Sequence, residues 1–164
     1  MTEHSIEEIE DRLWAEIDKG RFGMLGLSGS RMHFQPMTAF AEKVDGKIWF
    51  FTHRDTDLAR RVGDGAQAMF IVQAKDQDLQ ACVGGLLVED RDRDRIDKYW
   101  DPMIAAWFPE GKQDEGLTLL RLDCHDAQVW LTEAGPLKYA WEVARSNLKG
   151  ERPDLGEQRH LDLH

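Results

Sequence analysis

The chain has 164 residues, of which 41% are apolar and 32% charged, a composition typical of one soluble globular domain. Its net charge of −10 argues against partners such as nucleic acid or an anionic membrane, because both present phosphates that would repel it. No segment approaches the ~20 apolar residues of a membrane span, and the acidic start MTEHSIEEIE lacks the features of a secretion signal. We expect a single cytoplasmic domain over residues 1–164.

The N-terminal segment has the pattern of a capped amphipathic helix. Ser5 and Glu8 have the spacing of a capping box, apolar residues then recur every three or four positions, and Gly20 is a natural stop. We predict a helix over residues 5–19 that lies across an opening or a face of a sheet. Residues 22–27 form the first predicted strand.

Residues 33–62 are the most informative stretch. Two runs of residues whose side chains alternate with a period of two flank Asp45-Gly46, and this arrangement is a strong local signal for a β-hairpin. The second strand runs into a polar loop, and a short helix is predicted over 57–62 with Thr56 or Asp55 as its N-cap. A strand that ends beside a new helix N-terminus is one way to build an anion site, so we expect ligand binding here.

Four further strands and two further helices are predicted downstream. Residues 66–73 are almost continuously apolar, which predicts a strand buried on both faces. Residues 79–88 form a strand in which Gly84-Gly85 indicates a bulge or a close backbone approach.

Residues 117–123 and 127–132 are predicted as a second hairpin. The charge run at 89–95 is interpreted as the solvated start of a helix that Pro102 limits. A C-terminal helix is predicted over 137–149, followed by a polar tail over 151–164. The short connections favour an antiparallel sheet curled into a barrel, which we assign to residues 22–132.

The chemistry-bearing side chains suggest no catalytic residue. Cys82 and Cys124 lie in strand-like runs and are expected to be reduced, buried thiols. No histidine pair has the spacing of a zinc site, so no metal site is expected. A P-loop, a nucleophile elbow and a dinucleotide-binding glycine motif are all missing from the sequence. The many aromatic side chains suit core packing, and they also suit a flat, conjugated ligand.

Six short motifs occur in a fixed order within residues 5–145. They are Gln35-Pro36-Met37, Trp49-Phe50-Phe51-Thr52, Gly84-Gly85, DRIDKYW at 94–100, AWFPEG at 106–111 and Ala127-Gln128-Val129-Trp130. Through them the chain resembles the general stress protein 26 group of the pyridoxamine 5′-phosphate oxidase-like flavoproteins. The resemblance implies a mainly β fold, a split antiparallel β-barrel of the FMN-binding type with peripheral helices. It also implies a homodimer with two FMN sites at its interface.

The resemblance further implies which positions bind the cofactor. They are Gln35, Pro36, Met37, Phe51, Thr52, Thr56 and Trp130. Thr56 replaces a serine that holds the phosphate, and Trp130 corresponds to a tryptophan contributed by the partner subunit. Two cationic phosphate contacts of the family are missing, because Gln35 replaces an arginine and Leu58 replaces a lysine. Contacts of this kind are worth ~1.5–3 kcal/mol each.

Three explanations of the missing charge remain open. Arg60 or Arg61, one turn into the predicted helix, could supply it. The helix N-terminus after Thr56 could instead hold the phosphate with backbone donors alone. Alternatively, this chain has lost the flavin or binds another ligand.

The expected function is therefore that of an FMN-binding stress-type flavoprotein, as a possible flavin-dependent oxidoreductase of unknown substrate. The alternative is a non-catalytic dimeric ligand-binding or stress module whose FMN binding is lost or weakened. A pyridoxamine phosphate oxidase proper is disfavoured, because the C-terminal arginine and histidine motif of that enzyme has no counterpart in the tail.

Overall fold

The computed structural model describes residues 4–132, 136–154 and 156–163, and this part of the chain forms one antiparallel sheet with helices around it. Its strands are β1 (Phe22–Leu27), β2 (Gln35–Thr38), β3 (Phe40–Glu42), β4 (Lys47–His53), β5 (Ala66–Gln73), β6 (Leu79–Glu89), β7 (Leu117–Thr132) and β8 (Gly156–Asp162). Its α-helices are α1 (Ile6–Gly20), α2 (Asp57–Val62), α3 (Arg93–Tyr99), α4 (Pro102–Ala105) and α5 (Pro136–Lys149). None of these helices combines the length and the apolar content that crossing a membrane requires.

The sheet curls on itself because its two edge strands are consecutive in the chain. The strand order is β2-β1-β5-β6-β7-β4-β3, and β8 pairs with β7. β2 and β3 lie at opposite ends of this order, yet only Ala39 separates them in sequence. One residue spans at most ~3.6 Å, so the two edges must meet. β2 pairs with β1 and β3 pairs with β4, which leaves the barrel split between them. The predicted split antiparallel barrel is confirmed.

The inward side chains of the sheet and the apolar stripe of α1 form the main core. Ile9, Leu13 and Ile17 are at most 1% exposed and belong to the same cluster as Phe50 and Phe70. Burial of each such side chain contributes ~1.5–3 kcal/mol, and this burial holds α1 against the barrel.

Three local predictions are confirmed. The Glu8 N–H donates to Ser5 Oγ at 3.1 Å and the Ser5 N–H donates to the Glu8 carboxylate at 2.8 Å, which completes the capping box of α1. The turn of the β3–β4 hairpin contains Gly46 at φ +63°, in the left-handed region that favours glycine. Thr56 is the N-cap of α2, where its hydroxyl accepts a hydrogen bond from the Ala59 N–H.

The prediction that the fifth strand is buried on both faces is wrong. Ala68, Phe70 and Val72 are buried, whereas Met69 and Ile71 are 42% and 43% exposed. The side chains that point outward are apolar as well, so the alternation between a buried and an exposed face does not show in the sequence.

Residues 117–132 form one long strand, where a hairpin was predicted. β7 pairs with β4 along its first half and with β6 along most of its length. His125 is an extra residue, since Gly84 pairs with Asp126 whereas Gly85 pairs with Cys124. A Cβ at Gly85 would lie 2.1 Å from a carbonyl oxygen of β7. The predicted bulge with close backbone approach is therefore confirmed, and it lies next to residues 124–126, where the sequence predicted the turn of a hairpin.

The C-terminal tail, predicted only as polar, contains an eighth strand. β8 pairs antiparallel with the second half of β7. Leu161 and Leu163 are 1% and 5% exposed, so they extend the core. The pairing partner is about thirty residues away, and the alternation that marks the strand is too short to identify it locally.

The two cysteines lie in different surroundings. Cys124 is 4% exposed, as predicted, and burial raises the pKa of its thiol to about 12. Cys82 lies on the outer side of β6 and is partly exposed, so the prediction of a buried thiol is wrong there. Its neighbour across the strand pair is Ile71, one of the exposed apolar residues of β5.

Candidate functional site

A cavity of about 570 Å³ lies beside the split of the barrel. Four segments wall it: the end of α1 with the first residue of β1, the two edge strands β2 and β3, the end of β4, and the 101–108 segment that contains α4. Sites for small molecules and cofactors usually enclose ~300–1,000 Å³, so a cofactor-sized ligand fits this space.

β4 supplies the aromatic floor of the cavity. Successive strand residues point to opposite faces, and Phe51 and His53 face the 101–108 segment. The His53 ring lies 4.5 Å from the Phe108 ring, and Phe51 meets Phe40 edge-on at 5.7 Å between centroids. Thr52, which is 8% exposed, borders the cavity from the barrel side.

The 101–108 segment crosses the cavity because the helix breaks at a proline. Pro102 is the first residue of α4, and Asp101 caps that helix by accepting the Ile104 N–H at 2.8 Å. Proline suits the first helical position, where its missing N–H needs no partner, but not a helix interior, where a hydrogen bond would be lost and its ring would clash with the preceding turn. The turn brings Trp107, which is 71% exposed, and Phe108, which is 3% exposed, to the cavity wall.

A buried carboxylate anchors α3, the helix that leads into this segment, to the hairpin. The Glu42 side chain is 8% exposed. It accepts two hydrogen bonds from the Arg95 guanidinium, at 3.0 and 3.3 Å, and one from the Tyr99 hydroxyl. Burial opposes ionisation of Glu42, but the contacts with Arg95 and Tyr99 outweigh it and lower the pKa of Glu42. Burial and the neighbouring carboxylate raise the pKa of Tyr99. Tyr99 also stacks on Phe40 at 4.7 Å, so the anchor reaches the cavity wall.

Four of the predicted cofactor positions line this cavity. They are Pro36 and Met37 on β2 and Phe51 and Thr52 on β4. Gln35 starts β2 beside them, and its amide Nε2 lies 3.5 Å from Met37 Sδ. The amide is therefore directed along the strand edge, next to the cavity lining.

Thr56 lies just outside the cavity lining and is already engaged. Its hydroxyl donates to the His53 carbonyl at 2.9 Å and accepts from the Ala59 N–H at 3.2 Å. Its Oγ1 also lies 3.5 Å from Oγ1 of Thr52, which does line the cavity. The two threonines thus connect the cavity to the start of α2, but Thr56 uses its hydroxyl to cap that helix.

The other predicted positions are not brought into the cavity. Arg60 forms an exposed ion pair with Asp57 at 3.2 Å, and neither Arg60 nor Arg61 lines the cavity. Leu58 is 1% exposed and packs in the main core. A lysine in its place would have to leave the core before it could meet a phosphate.

Trp130 lies on the outer side of the sheet, away from the cavity lining of its own chain. It belongs to an exposed apolar surface that we call the outer face, formed by Phe22, Met24, Met69, Ile71 and Trp130. The strand register puts these side chains on one side of β1, β5, β6 and β7. Phe22 belongs to both the outer face and the cavity lining, so the two surfaces are continuous.

Most residues of the cavity lining were not predicted as site residues, among them the cationic pair Lys19 and Arg21 and the aromatic pair Trp107 and Phe108. The aromatic pair lies in the AWFPEG motif, which was a usable signal. The cationic pair has no local signal, because the end of α1 reaches the cavity only through closure of the sheet.

The curled antiparallel sheet with a cavity at its open seam defines a split-barrel protein. Residues 8–154 match the family model described as "Pyridoxamine 5'-phosphate oxidase like". That match spans most of the chain, so the protein belongs to the pyridoxamine 5′-phosphate oxidase-like family. No match was found among the curated proteins.

Solved structures agree with this assignment. A general stress protein 26 from Jannaschia sp. CCS1 is 31% identical with a TM-score of 0.79, covering 95% of this chain and 99% of that one. The general stress FMN/FAD binding protein from Xanthomonas citri is 40% identical with a TM-score of 0.73, covering 79% and 92%. A general stress family protein from Xanthomonas campestris pv. campestris is 39% identical with a TM-score of 0.74, covering 81% and 93%. The resemblance to the general stress protein 26 group is confirmed.

Proposed function

We propose that this protein is a cytoplasmic homodimer that binds FMN without covalent attachment. The observation that carries the proposal is the cavity at the split, where Pro36 and Met37 on β2 meet Phe51 and Thr52 on β4. The flat isoalloxazine ring would lie between these two strands. The Xanthomonas citri relative, described as an FMN/FAD binding protein, supports the same ligand.

The cavity walls suit the ring of a flavin. Phe51 and Phe108 offer aromatic surface, and the Thr52 hydroxyl offers one polar contact. Stacked or edge-on aromatic pairs are worth ~0.5–1.5 kcal/mol beyond the burial of their area. A bound flavin would supply the electron-transfer chemistry, and the chain would bind it, orient it and exclude water. The substrate of such an oxidoreductase is not assigned, nor is any residue as acid or base.

The phosphate would lie towards Thr52 and Thr56, beyond the ring. In this arrangement the Thr56 hydroxyl would have to share its capping role with the ligand. Arg60 would have to leave Asp57 to reach the phosphate, whereas Arg61 has only to turn from solvent. We therefore favour Arg61 over Arg60 as the compensating cation.

The outer face supports the homodimer. Met69 and Ile71 on β5 and Trp130 on β7 are each more than 40% exposed on one side of the sheet. Contiguous exposed apolar patches of this kind mark interaction sites. A second copy packed on this face would cover the patch and bring Trp130 of the partner subunit towards the Phe22 edge of the cavity.

The visible spectrum of the purified protein tests the flavin proposal. We expect yellow protein after purification or after incubation with FMN and gel filtration, with a structured flavin band near 450 nm. Denaturation should release all of the colour into the small-molecule fraction, because the attachment is non-covalent. Protein that stays colourless after loading would contradict the proposal.

A second candidate function is a non-catalytic dimeric ligand-binding or stress module that has lost or weakened FMN binding. The burial of Leu58 favours it, because no cation occupies the family's lysine position. Replacing Leu58 by Lys would bury an ammonium group in the core, so the informative substitution is Gln35→Arg at the half-buried start of β2. This candidate predicts that Gln35→Arg creates FMN binding that the parent lacks. Tight binding by the parent would remove its basis.

A further inference from the structure

The cavity has a cationic end that none of the predicted cofactor positions explains. Lys19 and Arg21, at the end of α1, both line it. Arg21 is the C-cap of α1 in the left-handed conformation, with φ +60°, and its N–H donates to the Ile17 carbonyl. Its own carbonyl accepts the Ala39 N–H at 2.6 Å. The backbone of this corner is thus fixed on both sides, at the one residue that joins β2 to β3.

The two cations are available to a ligand. In the described part of the chain neither Lys19 nor Arg21 forms an ion pair, and the guanidinium of Arg21 lies 5.4 Å from the centroid of the Phe40 ring. The carboxylate that lines the same cavity belongs to Asp101, and one of its oxygens is engaged by the Ile104 N–H. A positive cavity end is notable in a chain whose net charge is −10, because such a local field selects anions.

This cationic end is separate from the threonine pair. Phe40, beneath Arg21, pairs with Trp49 in the β3–β4 hairpin. Thr56 lies beyond His53, at the other end of β4. The four residue-to-residue steps from Trp49 to His53 span ~13 Å. A flavin whose phosphate lies at the threonines would therefore leave the Lys19/Arg21 end for a second anion.

We propose that this end is the subsite of a second ligand, a flat aromatic acid that lies beside the flavin. Its carboxylate would bind Arg21 and Lys19, and its ring would lie against Phe40 and Trp107. Arg21 suits this role because a guanidinium binds a carboxylate in a bidentate manner and also stacks on an aromatic face. The placement beside a flavin rests on the proposed function, whereas the cationic subsite rests on the cavity itself.

Calorimetric titration of the FMN-loaded dimer tests the proposal, with 2-naphthoate as the probe and neutral 2-naphthalenemethanol as its matched analogue. We expect the protein to prefer the acid, and Arg21→Gln to weaken acid binding roughly tenfold while the alcohol changes little. Lys19→Gln should have a smaller effect in the same direction. Arg31→Gln and Lys75→Gln remove exposed cations outside the cavity and serve as charge-matched controls.

Three results would overturn the subsite. One is equal affinity of the parent for acid and alcohol, and another is a loss in Arg21→Gln no larger than in Arg31→Gln. The third is a loss of FMN affinity in Arg21→Gln with riboflavin affinity unchanged, which would assign the cation to the flavin phosphate. If the parent binds no flavin, the titration is run on flavin-free protein. Arg21-dependent preference for the acid then supports the subsite while the proposed function fails.

Discussion

The two ends of the cavity region are built in different ways. At the ring end, β2, β4 and the 101–108 segment converge, and aromatic side chains that pack against one another line the space. At the phosphate end, the Thr56 hydroxyl caps α2, Arg60 pairs with Asp57, and Leu58 is in the core. The ring end thus presents an aromatic surface to a ligand, whereas the polar groups of the phosphate end already bond to partners within the chain.

This difference indicates where the binding energy of a flavin would come from. Apolar burial and aromatic contact would supply most of it, because a cation at the phosphate would first have to leave solvent or a partner. The affinity for FMN should then exceed the affinity for riboflavin only modestly. A protein with two preformed cationic contacts would show a much larger ratio.

The largest expected effect concerns the interface of the proposed homodimer. Ile71→Glu puts a carboxylate in the centre of the outer face, where dimer formation would bury it without a counter-charge. We expect the dissociation constant of the dimer to rise at least a hundredfold, which corresponds to ~2.7 kcal/mol, and the affinity for flavin to fall with it. Sedimentation velocity measures the first effect. Val44→Glu, at a 98% exposed turn position, is the control. If Ile71→Glu left the dimer unchanged, the interface would have to lie on another surface of the protein.

The next effect concerns the wall of the ring end. Glu42→Gln removes the carboxylate that holds Arg95 and Tyr99, and we expect about 2–3 kcal/mol of destabilisation, because hydrogen bonds to a buried charge are lost. Urea unfolding measures the change, with the exposed Glu110→Gln as the matched control. Equal stability of Glu42→Gln and Glu110→Gln would show that α3 is held against the hairpin by apolar contacts alone.

The difference in unfolding free energy between the parent and Glu42→Gln has a defined pH dependence. The pKa of Glu42 is lowered in the folded state, so the folded protein binds fewer protons at this site than the unfolded chain. The stabilisation is complete above the ordinary carboxyl pKa of about 4.3 and is lost as the pH falls through the lowered value. The stability gap between parent and Glu42→Gln should therefore narrow below about pH 4.3. A stability difference that grows as the pH falls would contradict the role of Glu42 in holding Arg95 and Tyr99.

A smaller effect separates ring contact from phosphate contact. Phe51→Leu keeps an apolar side chain at the cavity floor but removes an aromatic ring. We expect FMN and riboflavin affinities to fall together, by about 3- to 10-fold, since aromatic pairs are worth ~0.5–1.5 kcal/mol. Fluorescence titration with both flavins measures this. A loss confined to FMN would place the phosphate, rather than the ring, against Phe51.

The smallest effect is expected at the phosphate end. Thr56→Ala removes the N-cap of α2 and should cost ~1 kcal/mol of stability. It should reduce FMN affinity only a few-fold and leave riboflavin affinity unchanged. Thr56→Ser keeps the hydroxyl and is the control for both measurements. If Thr56→Ala abolished FMN binding, the phosphate end would be far stronger than its hydrogen bonds indicate.

Whether a feature of the fold or of the site could be predicted depends on how far along the chain its sequence signal extends. The capping box of Ser5 and Glu8, the Gly46 turn and the Thr56 cap depend on a few adjacent residues, and they were predicted correctly. The fold and the ring-end strands followed from a resemblance carried by ordered motifs. The pairing of β8 with β7, and the meeting of Lys19 and Arg21 with β2, depend on strand order over the whole chain. No local pattern encodes that order.

Titration of the purified protein with FMN and with riboflavin, followed by flavin fluorescence, tests the central claim most directly. If the ring end provides most of the binding energy, both flavins should bind, and FMN should be favoured by no more than about tenfold, or ~1.4 kcal/mol. Absence of binding by either flavin at ~100 μM, which corresponds to a free energy weaker than about −5.5 kcal/mol, would contradict the claim that this cavity is a flavin site.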